Sequence, residues 1–452
     1  MNTARLRSLV LYVILGGFLA GLIFFIGCYF VQGGTWAMRP ANQHLQGSSQ
    51  LSNAGTITDR NGNIIAQSVD GERVYSEDYT TRCALLHVLG DTDGYISTGI
   101  QNIYLSGLTG FNPVLGIAGT SNGSSGQDIQ MTVDSNLSAL ALQQLGDRKG
   151  AVAMYNYKTG DVLCFVSTPT YDPENVPDDL TTNAYYDGVF LNKALSGTFT
   201  PGSTFKIVTT ACALENIKDI DKHVFHCEGT KVINGNTIVC DSHTAHGDQT
   251  LQEALTNSCN VAFAELADEL GSEKMMKTAE EMGFNKSFSV DDNKTVASNY
   301  RVNSATSAED LAWSGIGQYT DTANPAHMMT LMGAIANGGT PVLPHTVKDT
   351  SIFGGSTSGG QLLSKEVADR LKTMMRNNVK NGYGDSLFPG MEVCAKTGTA
   401  EVEGEADTGW IVGFSQNAQT PYAFAIVVEE GGYGLSSAGA IASALMNAAV
   451  AQ

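Results

Sequence analysis

Positive charge is scarce in this chain of 452 residues: 26 Lys and Arg stand against 45 Asp and Glu, for a formal charge of −19. Such a surface repels a phosphate backbone, so no nucleic-acid partner is expected. The phosphate-loop pattern G-x-x-x-x-G-K-[ST] is absent and so is H-E-x-x-H, which removes the usual footholds of phosphoryl transfer and zinc hydrolysis. No internal repeat is visible, and no C-x-x-C pair frames a metal site.

Charge of either sign is missing altogether from 9 to 31. As a helix that stretch spans roughly 34 Å, enough to cross a hydrocarbon core of ~30 Å. Arg5 and Arg7 precede it, and Tyr29 and Trp36 lie near its far end. The pattern makes residues 1–8 a cytoplasmic tail and 9–31 a single-pass anchor in the cytoplasmic membrane, with the rest of the chain outside. A cleaved signal peptide and a lipid-attachment site at Cys28, after Phe25-Ile26-Gly27, are the competing readings. The apolar run continues through Tyr29, Phe30 and Val31, which counts against lipidation, and all three readings place the bulk of the chain outside.

Eight cysteines in an exported chain raise the question of disulfides. Only Cys227 and Cys240 lie close together in a turn-rich loop, and His226, His243 and His246 nearby make zinc the rival reading. Buried or free thiols among loop histidines outweigh both, so neither a metal nor a cofactor is expected.

The length allows two or three units. Thr56-Ile57-Thr58 and Ile64-Ile65-Ala66 flank Asp59-Arg60-Asn61-Gly62, a strong hairpin signal that opens a small head. Head and linker occupy 32–126 and end in the Gly/Ser-rich run 119–126. A helix over 136–145, capped by Asp134 or Ser135, leads to strands at 151–155 and 162–167, joined by Lys158-Thr159-Gly160-Asp161. Far along the chain, 393–402, 410–414 and 422–428 read as three more strands. The pattern between them is mostly helical, as over 251–270 and 325–337, and 437–451 closes the chain as an Ala-rich helix. A sheet built from both ends of a unit spanning 127–452, with helices inserted, predicts an α+β fold rather than a βαβ series.

Pro201-Gly202-Ser203-Thr204-Phe205-Lys206 puts a hydroxyl and an amine three residues apart, on one face, where an apolar helix begins. Serine is a poor nucleophile at neutral pH unless a base takes its proton, and a lysine whose pKa is lowered by burial can be that base. Backbone N–H groups at the helix start can help hold a developing oxyanion. About one S-x-x-K arises by chance in a chain this long, so alone the motif reads as a capping serine with a solvated lysine. Ser258-Cys259-Asn260 adds a hydroxyl and a carboxamide two residues apart in a loop. Lys396-Thr397-Gly398-Thr399, in an extended run, adds a lysine with two hydroxyls suited to clamp a carboxylate, and a glycine that admits a substrate backbone.

In that order the three motifs resemble the penicillin-recognising serine enzymes, and among them the class B penicillin-binding proteins. Gly315-Ile316-Gly317-Gln318, Asn324-Pro325-Ala326-His327-Met328, Ala336-Asn337-Gly338-Gly339 and Trp410-Ile411-Val412-Gly413-Phe414 extend the resemblance, while Ala54-Gly55 stands where an Arg-Gly is common. Lys158-Thr159-Gly160 and Ser415-Gln416-Asn417 are second copies outside the required order, and His327 reads as a packed helix-face residue. The resemblance implies a single transmembrane helix, a small β-rich head, and a β-lactamase/transpeptidase-like domain with a central antiparallel sheet and a helical region. It implies Ser203 as the acylated nucleophile, Lys206 as its general base, Ser258 as proton relay, Asn260 as a partner for the peptide side chain, and Lys396 as the group that tunes the network. Thr397, Gly398 and Thr399 would form the substrate strand, the two threonines binding a terminal carboxylate. The N–H groups of Ser203 and Thr399 would form the oxyanion hole.

The reaction so implied is the cross-linking of peptidoglycan stem peptides ending in D-alanyl-D-alanine, with β-lactams as acylating inhibitors and a membrane glycan polymerase as partner. A serine β-lactamase, a D,D-carboxypeptidase, and a non-catalytic penicillin sensor or scaffold are the alternatives. Roles in elongation, division and sporulation all stay open.

Overall fold

The computed structural model describes residues 3–37, 50–110, 126–348, 357–402, 404 and 406–451. The Gly/Ser-rich run expected at 119–126 lies outside them, except for Gly126. Helix α1 (Thr3–Ala37) carries the uncharged stretch, and its 23 residues Arg7–Tyr29 are long and apolar enough to cross a membrane.

Strands β1 (Ile57–Thr58), β2 (Ile64–Val69) and β3 (Glu72–Tyr75) pair antiparallel, as the Asn-Gly turn predicts. Strand β4 (Ile129–Gln130) then returns to pair parallel with β1, giving the order β3-β2-β1-β4. The turn is knitted by buried Asp59, whose carboxylate accepts from the backbone N–H groups of Asn61 at 2.8 Å and Asn63 at 2.9 Å, and from Ser135 Oγ at 2.6 Å. Burial pushes the Asp59 carboxyl up, but the bonds from Ser135, Asn63 and Asn61 together hold it below the usual carboxylate range. Because Ser135 opens the first helix of the larger unit, the same carboxylate docks the head onto that unit. At Gly55 a Cβ would lie 2.1 Å from the Gln127 carbonyl oxygen, so only glycine fits. No arginine precedes it, but Arg73 reaches this corner from β3 and donates to the Gly55 carbonyl at 2.9 Å.

The second sheet contains β5 (Gly150–Asn156), β6 (Val162–Thr168), β7 (Cys394–Ala400), β8 (Thr408–Phe414) and β9 (Tyr422–Val428). Its order is β7-β8-β9-β5-β6, antiparallel throughout. Helices α2 (Ser135–Leu145), α6 (Pro325–Ala336) and α7 (Ala438–Val450) pack on it, whereas α3 (Lys206–Asn216), α4 (Leu251–Thr256) and α5 (Asn260–Leu270) pack on one another. The two-residue period of the strands sorts their side chains into two cores. Ala151, Ala153, Tyr155, Ala425 and Val427 join the core that includes Met328, Met329 and Met332 of α6. Val152, Met154, Ile426 and Val428 join Leu137 and Ala141 of α2 and Ile441 and Leu445 of α7. Each fully buried Val, Ile or Met contributes about 1.5–3 kcal/mol, so both faces stabilise the sheet. Gly333 lets α6 lie this close, since a Cβ there would meet the Tyr155 hydroxyl at 1.7 Å.

Helix starts obey local capping chemistry. Asp134 accepts from the Leu137 N–H at 3.0 Å, and Asn324, followed by Pro325 in the first turn, accepts from the His327 N–H at 3.1 Å. The stretch 251–270, which reads as one helix, is two. Its break falls at Ser258, whose φ of +53° is left-handed, and Cys259 restarts the helix by accepting the Ala262 N–H on its sulfur. The turn-rich loop before it holds two short ribbons, Phe225–Cys227 with Gly247–Gln249 and Thr230–Ile233 with Asn236–Val239.

Candidate active site

The segment before Ser203 is held from two sides. Buried Trp410 of β8 donates its indole N–H to the Thr200 carbonyl at 3.0 Å, and the Gly317 carbonyl accepts the Gly202 N–H at 2.9 Å. Gly317 has φ +80°, and a Cβ there would meet Gly202 O at 2.0 Å, which explains the glycine at that position. Residues 202–205 form a 3-10 turn, in which positions three apart eclipse. Ser203 thus stands over Lys206, the first residue of α3, with Oγ and Nζ 3.0 Å apart.

Lys206 is fully buried, and its amine also donates to the Ser258 carbonyl at 2.6 Å and to Asn260 Oδ1 at 2.6 Å. Ser258 Oγ lies 3.2 Å from Lys206 Nζ and 2.9 Å from Lys396 Nζ, and Lys396, equally buried, donates to the Thr397 carbonyl at 2.9 Å. One hydroxyl therefore bridges two buried amines, and a hydroxyl can donate once and accept twice. Burial pushes the Lys206 amine down to about 8. Relative to an ordinary lysine, that shifts the balance toward the neutral form by on the order of 3 kcal/mol, so roughly a tenth of molecules carry a free base at pH 7. Burial, and then the charge of Lys206, holds Lys396 well below the ordinary lysine range. Two buried cations sharing one hydroxyl repel, which favours a single charge on the pair.

Strand β7 is the edge of its sheet. Its outward backbone groups are partly capped: the Ala395 carbonyl accepts from Asn378 Nδ2 at 3.1 Å, and the Thr397 N–H donates to the Tyr383 hydroxyl oxygen at 3.0 Å. By strand alternation the Thr399 N–H faces the same way. Thr397 Oγ1 also meets the Tyr383 hydroxyl at 3.1 Å, and Thr399 Oγ1 accepts the Gly434 N–H at 3.2 Å. Tyr383, in a π-turn over Asn378–Tyr383, is a site residue that sequence reasoning missed, and its flanking glycines were the only signal. Gly398 has a close neighbour within the fold: a Cβ there would meet Pro201 O at 2.7 Å and Thr204 Cγ2 at 3.0 Å, so the serine-bearing turn itself requires glycine at this position. The Asn260 amide holds Lys206 through Oδ1 and donates through Nδ2 to the Val239 carbonyl at 2.8 Å, which uses one of its two N–H donors.

The structure brings Ser203, Lys206, Ser258, Asn260, Lys396, Thr397 and Thr399 around one cleft. A cavity of 640 Å³ is lined by Ser203, Ser258, Asn260, Thr397 and Thr399, facing His246, Trp313, Gln318, Asp407 and Tyr433. The second motif copies lie elsewhere. Lys158 is exposed in a turn, 2.7 Å from Asn337 Oδ1, and Ser415 is buried with its hydroxyl on the Met391 carbonyl. His327 is packed as expected, its Nδ1 accepting from Ser298 Oγ at 2.7 Å and its Nε2 donating to Met282 O at 2.9 Å, and burial pushes it down to about 4.

Cys227 and Cys240 do meet, as free thiols 3.6 Å apart. His226 and His243 are exposed and stand apart from them, whereas His246 and the motif residue Cys259 join them, a partner that its distance along the chain had hidden.

An antiparallel sheet whose edge strand borders a cleft beside a serine-bearing turn is the architecture of the penicillin-recognising enzymes. The family model for the penicillin-binding protein transpeptidase domain matches residues 150–447, and the chain belongs to that family, as a class B member. It is 27% identical to the peptidoglycan D,D-transpeptidase PbpA of Mycolicibacterium smegmatis, over 91% of each chain. It is 30% identical to the stage V sporulation protein D of Bacillus subtilis over 61% of this chain, and the match spans only 44% of that relative's length. Among solved structures, the D,D-transpeptidase domain of a peptidoglycan glycosyltransferase from Eggerthella lenta is 28% identical, with a TM-score of 0.75, covering 88% of this chain and 98% of that one. Penicillin-binding protein A of M. tuberculosis, as a ceftriaxone acyl-enzyme complex, shares the fold at 24% identity, with a TM-score of 0.77 and 89% and 100% coverage.

Proposed function

We propose that this protein is a peptidoglycan D,D-transpeptidase, anchored by α1 as a single pass in the bacterial cytoplasmic membrane with its catalytic domain outside. The observation that carries this reading is the unbroken hydrogen-bonded path Ser203–Lys206–Ser258–Lys396, in which both amines are buried. The neutral fraction of Lys206 takes the Ser203 proton as Oγ attacks the carbonyl before the terminal D-alanine of a stem peptide. The N–H groups of Ser203 and Thr399 hold the developing oxyanion. The proton passes through Ser258 to the departing D-alanine amine, with Lys396 orienting that hydroxyl. The Thr399 and Thr397 hydroxyls bind the donor's terminal carboxylate, Tyr383 fixing the second. An amine of a neighbouring peptide then takes the acyl group. Asn260 anchors Lys206 through Oδ1, and the second N–H of its amide, in the cleft lining, serves the peptide. A membrane glycan polymerase supplies the strands to be joined.

Intact-mass spectrometry after exposure to a β-lactam tests the reading. The wild-type chain should gain one adduct and Ser203→Ala none. An adduct on the variant ends the nucleophile assignment, and release of the wild-type adduct many times per second would make the protein a β-lactamase instead.

A further inference from the structure

Cys227, Cys240, His246 and Cys259 converge beside the cleft, and the acyl-transfer scheme uses none of them. Their sulfur and nitrogen atoms all lie within 4.8 Å of one another. Cys227 Sγ is 3.6 Å from Cys240 Sγ, Cys240 Sγ is 3.7 Å from Cys259 Sγ, and His246 Nδ1 is 3.4 Å from Cys227 Sγ. The three sulfurs are buried and His246 is half-buried.

A disulfide brings two sulfurs to about 2.05 Å, far inside these separations, and any pairing of three thiols leaves one over. Zinc binds thiolate at about 2.3 Å and imidazole at about 2.0–2.1 Å, so a tetrahedron has S–S edges of about 3.8 Å and S–N edges of about 3.5 Å. Three of the six separations lie within about 0.2 Å of those edges, and the other three fall within 4.8 Å. Three sulfurs and an imidazole, with no carboxylate, suit zinc rather than calcium or magnesium. Supporting hydrogen bonds are in place as well. The Gly229 N–H donates to Cys227 Sγ at 3.3 Å and the Ala262 N–H to Cys259 Sγ at 3.4 Å, as second-sphere donors to metal thiolates do. Gly229 has φ +90°, and a Cβ there would meet His243 O at 2.3 Å, so that turn needs glycine.

We propose that Cys227, Cys240, Cys259 and His246 Nδ1 bind one Zn²⁺ in a closed tetrahedral site next to the acylation cleft. Binding releases the three thiol protons to solvent and engages the Nδ1 lone pair. With four protein ligands the ion has no open position for water, so it is structural and not hydrolytic. Its place along the chain gives it a task. Cys259 lies between Ser258 and Asn260, whose oxygens hold Lys206, so fixing its sulfur fixes the left-handed turn at Ser258. That link to acylation rests on the transpeptidase reading, whereas the metal site does not.

The full chain, purified in detergent with Zn²⁺ present, should carry one zinc per molecule by plasma mass spectrometry. Exchange with Co²⁺ should give the intense visible bands and near-ultraviolet charge transfer of a tetrahedral, sulfur-rich site. His246→Ala, which trims only the half-buried ligand, should keep its circular dichroism while weakening zinc binding by at least about 100-fold. Stripping the metal should slow β-lactam acylation at least about ten-fold, with recovery on adding Zn²⁺. A chain with no zinc, a weak octahedral cobalt spectrum, or the two-hydrogen mass loss of a Cys227–Cys240 disulfide overturns the site. Undiminished acylation without zinc overturns the link to catalysis. Absence of acylation in both forms strikes the transpeptidase reading and leaves the zinc count standing.

Discussion

The chain holds two Lys-Thr-Gly stretches, and the fold gives them opposite surroundings. Lys158 is exposed on the turn between β5 and β6, its amine on Asn337, while Lys396 is fully buried in the edge strand β7 with its amine on Ser258. The glycines, by contrast, do the same job. A Cβ at Gly160 would meet Leu343 O at 2.6 Å, and one at Gly398 would meet Pro201 O at 2.7 Å. What separates the copies is therefore the lysine's burial beside a second amine, which is set by where the sheet ends and which turn packs against that edge.

The sharpest way to break this comparison is to remove each lysine in turn. Lys396→Ala should lower the rate of β-lactam acylation by about 10²- to 10³-fold, the usual loss when one preorganised electrostatic group is deleted, while Lys158→Ala should leave it within about two-fold. Equal losses, read by time-resolved mass spectrometry, would show that burial is not the distinction. A smaller effect should separate the glycines. Gly160→Ala, at φ +92° with its own backbone clash, should cost roughly 1–3 kcal/mol of stability, seen as a lower melting midpoint, with acylation per folded molecule unchanged. Gly398→Ala should lower both, since it pushes on the turn that carries Ser203. A smaller loss of acylation than at Lys396 is expected at Tyr383→Phe, which takes one hydroxyl away from Thr397 and should slow acylation by about two- to ten-fold with the fold intact.

The ordered triple was legible in the sequence because each member is a short local pattern and the order filters out the extra copies. The strands of the large sheet were legible too, since 151–155, 162–167, 410–414 and 422–428 are apolar runs of strand length bounded by turn residues. Distant pairings carry no such local mark. Nothing near 129 says that β4 pairs with β1, and Cys259 lies 32 residues from Cys227 with no fixed ligand spacing. The helical pattern over 251–270 continues through Ser258, because a single left-handed residue barely alters apolar periodicity. The turn packed against Gly398 was not legible either, because a glycine reports only that something comes close, not which partner does.

The dependence of acylation on pH tests the central claim most directly. The base is the neutral Lys206, and burial lowers its pKa to about 8. The acylation rate of the full chain should therefore rise about tenfold per pH unit below that value and level off above it, and Lys206→Ala should lose the rise. A wild-type rate already level from about pH 6 to about pH 9, or one that falls as pH rises, would contradict the claim that this amine takes the serine proton.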